Sequence, residues 1–359
     1  MVGGFLGSGK TTLLWETAQQ IVHSGLRVGL ITNDQAPELV DTAILSRDEV
    51  KVAEVNGSCF CCNFQGLIDA TRKLKKEAEA DIIVAEPVGS CTDLSATIVQ
   101  PLKENLRGEL LVSPLTALAD PIRLGEILNG RNSGLHPSAA YIYKKQLEES
   151  DIILISKSDT ISSEELELLK EKARVHFPES EIMTVSSVSG EGLSEWLEKV
   201  INSNEAGKRL IDVDYDVYAE GEAVLGWLNS TIELSGNEID WDTFAHKLMQ
   251  SLSNQFDEMG ASVGHVKILL ESGDKYIVSN LTGLNSTLSF RLSAGVSNFA
   301  RLTLNARVEM SPEILENIVK TTLEQVAGSS ISKKLIAQRC FSPGRPNPTF
   351  RFDHIVSMG

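Results

Sequence analysis

No apolar run in this 359-residue chain is long enough to span a bilayer: Ile82 to Ala85 is closed by Glu86, and Ile152 to Ile155 by Ser156 and Lys157. The first residues, glycine-rich and then carrying Lys10, do not read as a secretory signal. Positive charge is also scarce. Thirty-three Lys and Arg against 49 Asp and Glu leave a net charge of −16, a surface that repels phosphate backbones and anionic lipid. Nonspecific binding to nucleic acid or to a membrane surface is therefore disfavoured. No His-rich tract occurs, and His246, His265 and His354 read as surface or packing histidines. Five cysteines, three of them within four positions, make a poor disulfide framework but a good thiolate cluster for a reducing compartment. At about 150 residues per domain, the reading is a cytoplasmic protein of two domains.

Through about residue 200, short β-branched runs alternate with longer amphipathic stretches, the pattern of an α/β fold with a mostly parallel sheet covered by helices. Strands are expected over 27–32, 50–55, 81–85, 109–119, 152–155 and 181–185. Helices are expected over 10–24, 65–80, 94–106, 137–149, 163–175 and 193–201. A polar stretch at 202–209, containing Gly207, ends the alternation. Beyond it the sequence predicts a smaller α+β domain, with strands near 223–234, 263–271, 275–281, 287–292 and 302–308 and helices over 241–258 and 312–327. Gly273-Asp274 between two apolar runs is a hairpin signal. The segment SPGRPNPTF from Ser342 can continue neither helix nor inner strand. The expected organisation is 1–204 nucleotide-binding domain, 210–341 α+β domain and 342–359 extended tail.

Gly4-Phe5-Leu6-Gly7-Ser8-Gly9-Lys10-Thr11 fits G-x-x-x-x-G-K-[ST] at every fixed position, with a helix beginning at once through Thr12 and Leu13. Gly4, Gly7 and Gly9 let the backbone curl so that amides of the loop, Ser8 included, converge on a phosphate at a helix N-terminus. Lys10 would bridge β- and γ-phosphate oxygens, and the Thr11 hydroxyl would ligate Mg²⁺. The motif requires a buried strand feeding it, yet only Met1-Val2-Gly3 precedes. Either the true start lies upstream or the sheet lacks this strand; the sequence favours an incomplete N-terminus.

The run ending in Glu86-Pro87-Val88-Gly89 places a carboxylate at the C-terminal tip of a parallel strand, where such sheets bind ligands. Glu86 would hold Mg²⁺ or its water, and the Gly89 amide would sense the γ-phosphate, as in the Asp-x-x-Gly of GTPase switches. Ser156-Lys157-Ser158-Asp159 is a near match to Asn-Lys-x-Asp. Asp159 could accept both donors of a guanine edge, which adenine lacks, and Lys157 would lay its stem over the base. Ser186-Ser187-Val188 resembles the loop that closes over guanine, with Ser187 as its candidate contact. GTP is expected over ATP.

Cys59-Phe60-Cys61-Cys62 concentrates three sulfurs on one short loop after a strand. Such a loop suits a soft or borderline metal, but a closed tetrahedral site needs four ligands. Three sulfurs leave an open site, which suits transfer. Cys91 is the most economical further ligand; the alternative is a small buried residue. Taken together, GFLGSGKTTLL, EVNGSCFCCN, E-x-x-G and the degenerate Asn-Lys-x-Asp resemble the CobW-type P-loop GTPases, relatives of the UreG, HypB and MeaB metallocentre chaperones, over residues 3 to 200. The resemblance implies GTP hydrolysis coupled to delivery of Zn²⁺ or Co²⁺ to a client apoprotein or cofactor pathway, and a nucleotide-dependent homodimer. Carried over, the phosphate role falls on Lys10 and Thr11, the transition-metal role on Cys59, Cys61 and Cys62, and the switch role on Glu86 and Gly89. Asn33-Asp34 resembles the segment whose acid approaches Mg²⁺ or the attacking water, with Asp41 the other candidate. The family's usual Ser/Thr-Gly-Leu-Ala-Asp-Pro stands here as Val88-Gly89-Ser90-Cys91-Thr92-Asp93. The competing readings are a metal-binding or thiol-redox protein with a largely structural nucleotide site, and a small-molecule P-loop kinase.

Overall fold

The computed structural model describes residues 1–34, 40, 50–203, 205–283 and 288–357. The chain forms two compact units, Met1–Gln35 with Leu45–Gly221 and Arg345–Gly359 in the first, and Ala36–Ile44 with Glu222–Gly344 in the second.

The first unit begins with a short strand, β1 (Val2–Gly4), that leads through the glycine-rich loop into α1 (Lys10–His23). The strand that feeds the loop is present, with Val2, Gly3 and Gly4 paired in parallel with Thr116, Ala117 and Leu118. Next come β2 (Val28–Asp34), β3 (Lys51–Asn56), α2 (Phe64–Glu77) and β4 (Ile82–Glu86). Parallel pairing sets β2 between β3 and β4. Where one helix is expected over 94–106, the chain makes a π turn, Ser95–Val99, and then α3 (Gln100–Asn105). Pro101 explains the change: it has no N–H to donate to Thr97, and the preceding Gln100 amide reaches back to the Ser95 carbonyl instead.

β5 (Thr116–Ala119) is shorter than the expected 109–119, because Pro114 stands at its entry and the Leu115 amide is taken by the Asp151 carboxylate at 2.7 Å. α4 (Pro121–Leu128) is an additional helix, capped by the Asp120 side chain on the Ile122 and Arg123 amides. There follow α5 (Pro137–Glu149), β6 (Ile152–Ile155), α6 (Ser163–His176), β7 (Glu181–Thr184), α7 (Leu193–Ile201) and α8 (Tyr215–Ala223). A second parallel sheet runs β1-β5-β6-β7. The strands are buried: Leu118 and Leu154 pack with Leu13, Leu14, Ile21 and Trp196, each contributing about 1.5–3 kcal/mol by leaving water. The unit continues past the polar 202–209 stretch, since Asp151 also accepts from the Gly207 amide at 2.6 Å and the Lys208 amide at 2.9 Å.

Among the described residues the second unit is a six-stranded antiparallel sheet with helices packed on it, its strands lying side by side in the order Ser289–Ser293, Lys275–Leu281, Val263–Ser272, Val296–Glu309, Leu225–Asp240 and Ser332–Phe341. Its elements in chain order are β8 (Leu225–Asp240), α9 (Trp241–Glu258), β9 (Val263–Ser272), β10 (Lys275–Leu281), β11 (Ser289–Ser293), β12 (Val296–Glu309), α10 (Pro312–Ala327) and β13 (Ser332–Phe341). Gly273, at a φ of 63°, makes the turn between β9 and β10. α9 and α10 bury Phe244, Leu248, Leu252, Leu315 and Val319 against Leu228, Val266, Ile268 and Leu304 of the strands. Among the described residues no helix is long and apolar enough to cross a membrane.

Candidate nucleotide and metal site

The glycine-rich loop is positioned by the backbone conformations that its sequence allows. Gly4, Gly7 and Gly9 have φ values of 129°, 77° and 92°, and a Cβ at Gly4 would lie 2.6 Å from the Leu118 carbonyl oxygen. The Ser8 amide donates to the Phe5 carbonyl at 3.2 Å, closing the turn, and the Leu13 amide starts α1 from the Gly9 carbonyl. Lys10 is buried and donates to the Gly4 and Phe5 carbonyls at 2.8 and 3.2 Å. Thr11 and Thr12 follow it in the first turn of α1, both half-buried. The Ser8 hydroxyl is buried and has no partner among the described residues, so the cradle holds a polar atom that a phosphate oxygen would satisfy.

The loop is braced from three sides. The Arg123 guanidinium donates to the Leu6 carbonyl at 3.0 Å from α4. The Ser156 hydroxyl donates to the Ser8 carbonyl at 2.7 Å, so serine in the place of the motif's asparagine still buttresses the loop. Lys157, held at a φ of 52°, donates to the Gly7 carbonyl at 2.9 Å and pairs with Asp120 at 2.8 Å. Burial works against a charged Asp120, yet the Lys157 ammonium and the Arg123 amide outweigh it and hold the carboxyl below the usual range. Asp120 and Arg123 were not singled out from the sequence, although Asp-Pro at a strand end is a recognisable helix start. Asp159, exposed, accepts from the Ser186 hydroxyl at 2.5 Å; that hydroxyl also receives the Val188 and Ser189 amides. The serine engaging Asp159 is thus Ser186, while Ser187 lies beside it, half-buried.

Glu86, buried at the end of β4, stands 3.9 Å from the Lys10 ammonium. Gly89 lies against the same lysine: a Cβ there would be 3.1 Å from Lys10 Nζ and 2.8 Å from Leu6 Cδ2. Asn33, at the end of β2, donates to the Val55 and Ser58 carbonyls, both at 2.8 Å, and accepts from the Phe60 amide at 2.8 Å. It clamps the cysteine loop, a role that the sequence did not suggest. The backbone of Asp34 closes β2; its side chain, like Asp41, lies outside the described residues.

Cys59, Cys61 and Cys62 present their sulfurs within 4.8 Å of one another. The separations are 3.0 Å for 59–61, 3.1 Å for 59–62 and 3.8 Å for 61–62. The Cys62 and Asn63 amides both donate to the Cys59 carbonyl, and Asn63 caps α2 through the Gly66 amide, so the loop folds into a tight turn. Hydrogen bonds from the Cys61, Cys62 and Cys91 thiols stabilise a thiolate at Cys59 and drive its pKa far down. The bond to Cys59 is the largest influence on the other two, pushing Cys61 well up and, with burial and against the bond to Cys61, Cys62 to about 11. One thiolate among neutral thiols is the state expected of an unmetallated cluster.

The C-terminal segment lies over this loop. The Thr349 amide donates to the Cys61 carbonyl at 2.7 Å, the Thr349 hydroxyl to the Cys62 carbonyl at 3.2 Å and the Asn347 amide to Cys62 Sγ at 3.3 Å. Phe350 meets Phe64 edge-on at 5.3 Å between ring centroids. Arg351 donates to the buried Asp93 at 2.7 Å, and Val356 exchanges hydrogen bonds with Gln100 and Lys103.

A phosphate cradle opening a helix, a strand-end acid against its lysine, and a strand-end Lys-x-Asp bracing the cradle define a P-loop nucleotide-binding protein with a cluster of three cysteine sulfurs at the end of another strand. The chain belongs to the CobW/HypB/UreG family, whose nucleotide-binding domain model matches residues 1–184. It is 25% identical over 214 residues to the zinc-regulated GTPase metalloprotein activator 1 of Dictyostelium discoideum, covering 51% of this chain and 44% of that one. It is 26% identical over 186 residues to the zinc chaperone YjiA of Escherichia coli, covering 49% and 54%. The chain spans about half the length of the curated relatives it matches. A solved HypB from Helicobacter pylori in complex with nickel aligns over 56% of this chain and 83% of that one, with 17% identity and a TM-score of 0.40. Nothing of that protein's metal geometry is carried over.

Proposed function

We propose that the protein is a GTP-hydrolysing metallochaperone that couples the nucleotide state of its P-loop to the holding and release of zinc, its cargo, on the Cys59-Cys61-Cys62 loop. One observation supports this reading above the others. β2 lies between β3 and β4, so the cysteine loop and the Glu86 to Gly89 segment leave the strands flanking it, and Gly89 already touches Lys10. Two ligands at strand ends that flank a common strand share one small set of loops.

Lys10, now satisfied by two loop carbonyls, would exchange them for β- and γ-phosphate oxygens. The loop amides and the Ser8 hydroxyl would take the remaining oxygens. Thr11 and Glu86 would hold Mg²⁺, which neutralises charge developing on the phosphates. The Gly89 amide would read the γ-phosphate, and Asp34 is the acid proposed to orient the attacking water. Asp159 would accept from guanine while Lys157, fixed by Asp120, covers the base. Zinc rather than cobalt is favoured by the relatives, which are zinc chaperones and zinc-regulated activators. The recipient is a client apoprotein, and assembly as a nucleotide-dependent homodimer is part of the same proposal. A kinase would not require the cysteine loop. Zinc titration of the purified chain, with and without a non-hydrolysable GTP analogue, tests the coupling: equal affinities would refute it, as would the absence of GTP hydrolysis.

A further inference from the structure

Three thiolates leave a zinc ion one ligand short, and the chain carries a fourth sulfur beside them. We propose that Cys91 is the fourth thiolate, that zinc is held in a closed four-sulfur site, and that Cys91 is the ligand through which the nucleotide state acts. The proposal rests on the metallochaperone reading and deepens it.

Cys91 is fully buried and its thiol is hydrogen-bonded to Cys59 and to Cys61, but its sulfur stands outside the 4.8 Å group that the other three form, so closing the site requires it to move inward. With Zn–S bonds of about 2.3 Å, a tetrahedral site separates its sulfurs by about 3.8 Å. Cys61 and Cys62 already have that spacing, at 3.8 Å, whereas Cys59 sits at 3.0 and 3.1 Å from the pair. Metal entry therefore spreads the cluster around Cys59, the sulfur that faces Cys91. The thiol protons leave to solvent as the four S–Zn bonds form. The Asn347 amide, 3.3 Å from Cys62 Sγ, is the kind of outer donor that stabilises a metal-bound thiolate.

Cys91 is also placed to report the phosphate site. It follows Gly89 by two residues, and one side chain fixes both: Gln146 of α5 donates to the Gly89 carbonyl at 3.0 Å and to the Cys91 carbonyl at 2.8 Å. The turn between them is closed by the Cys91 amide on the Val88 carbonyl at 2.9 Å. The three other sulfurs belong to a loop clamped separately, by Asn33 on β2. A shift of the Gly89 segment toward a γ-phosphate thus moves one ligand against three.

The test is X-ray absorption at the zinc edge on the reduced full chain loaded with one equivalent of zinc, alongside chelator competition with and without a non-hydrolysable GTP analogue. Four sulfurs are expected for the wild type, and three sulfurs with one lighter ligand for Cys91→Ser. The variant should lose affinity by more than about 100-fold, beyond the range for removing an outer hydrogen-bond partner of a ligand, and its affinity should no longer differ between nucleotide states. Three sulfurs in the wild type, with Cys59→Ser but not Cys91→Ser losing zinc, would overturn the inference and leave the chaperone reading intact. No zinc on the cluster at all would overturn both. The wild-type sulfur count requires no variant to fold.

Discussion

Glu149 offers the sharpest quantitative test of how the segment behind Cys91 is held. It ends α5, is fully buried, and accepts from the Ser95 amide at 2.8 Å and the Thr92 hydroxyl at 3.2 Å. Burial is the largest influence and raises its pKa from 4.5 to about 8, with the Asp93 carboxylate adding to the rise and the Ser95 and Thr92 hydrogen bonds opposing it. The folded chain therefore keeps a proton that the unfolded chain releases above pH 4.5. Stability due to this group is highest below pH 4.5, falls by about 1.4 kcal/mol per pH unit as pH rises, and levels off above about 8. Between pH 5 and 7 the fall is about 2.5 kcal/mol. Glu149→Gln cannot titrate, so its stability relative to wild type should improve by about that amount across the interval, whatever constant offset the amide introduces. Because the chain has two units, opening of the first is best followed by hydrogen exchange in peptides covering 137–155. Asp93, itself raised by burial against the opposing pull of Tyr215 and Arg351, is common to both proteins and largely cancels in the difference. Exchange-derived stabilities of wild type and variant that run parallel from pH 5 to 8, within about 0.5 kcal/mol, would refute the buried neutral acid.

Lys10→Ala should lower GTP hydrolysis at least about 100-fold, measured as phosphate release, because it removes a fixed cation from the developing charge. Asp159→Ala should reduce the preference for GTP over ATP roughly 10- to 100-fold in competition binding, the range of one charge-assisted hydrogen-bond pair; an unchanged ratio would remove Asp159 from base recognition. Asp120→Ala frees Lys157 from its 2.8 Å partner and uncaps α4, and should weaken GTP binding and destabilise the first unit by about 1–2 kcal/mol, read by calorimetry and thermal melting. Truncation after Gly344 removes the donors to the Cys61 carbonyl and the Cys62 sulfur, and should speed alkylation of Cys62 several-fold; an identical rate would show that the segment does not shield the loop.

What was legible in the sequence was local. The phosphate cradle, the strand-end acid and the cysteine trio each lie within a few consecutive residues, so spacing alone specified them. The helices Pro137–Glu149, Trp241–Glu258 and Pro312–Ala327 begin after a capping or turn residue and keep helical periodicity throughout, and the sequence placed their ends where the structure has them. The misses are of two physical kinds. In one, a single residue overrides a propensity: Pro101 converts the start of a helix into a π turn, and Pro114 postpones a strand. In the other, the partner is far along the chain. Asn33 reads as an ordinary strand end until it is seen holding the Phe60 amide 27 residues away. The Pro-rich C-terminal segment has no periodicity of its own, because its conformation is set by bonds that it donates to carbonyls and a sulfur of the cysteine loop, 285 residues distant.

The demands of zinc and of phosphate on this site differ in tolerance, and that difference makes coupling physically cheap. A phosphate in a cradle of amides and a flexible lysine accommodates displacements of several tenths of an ångström, since each hydrogen bond weakens gradually. A Zn–S bond is held within about 0.2 Å of its ideal length. Glu86 and Gly89 are on the tolerant side, in contact with Lys10, and the cysteine loop is on the strict side, fixed to β2 by Asn33. A shift too small to repack the buried strands would therefore leave nucleotide binding intact while taking a sulfur out of bonding range. Gly89→Ala isolates this lever. Its Cβ would meet Leu6 at 2.8 Å and Lys10 Nζ at 3.1 Å, so the segment and these side-chain ends must separate, while every proposed zinc ligand is kept. The variant should shift zinc affinity in the absence of nucleotide and narrow the difference between nucleotide states. If zinc affinity is unchanged while GTP hydrolysis falls, the two sites do not share the segment.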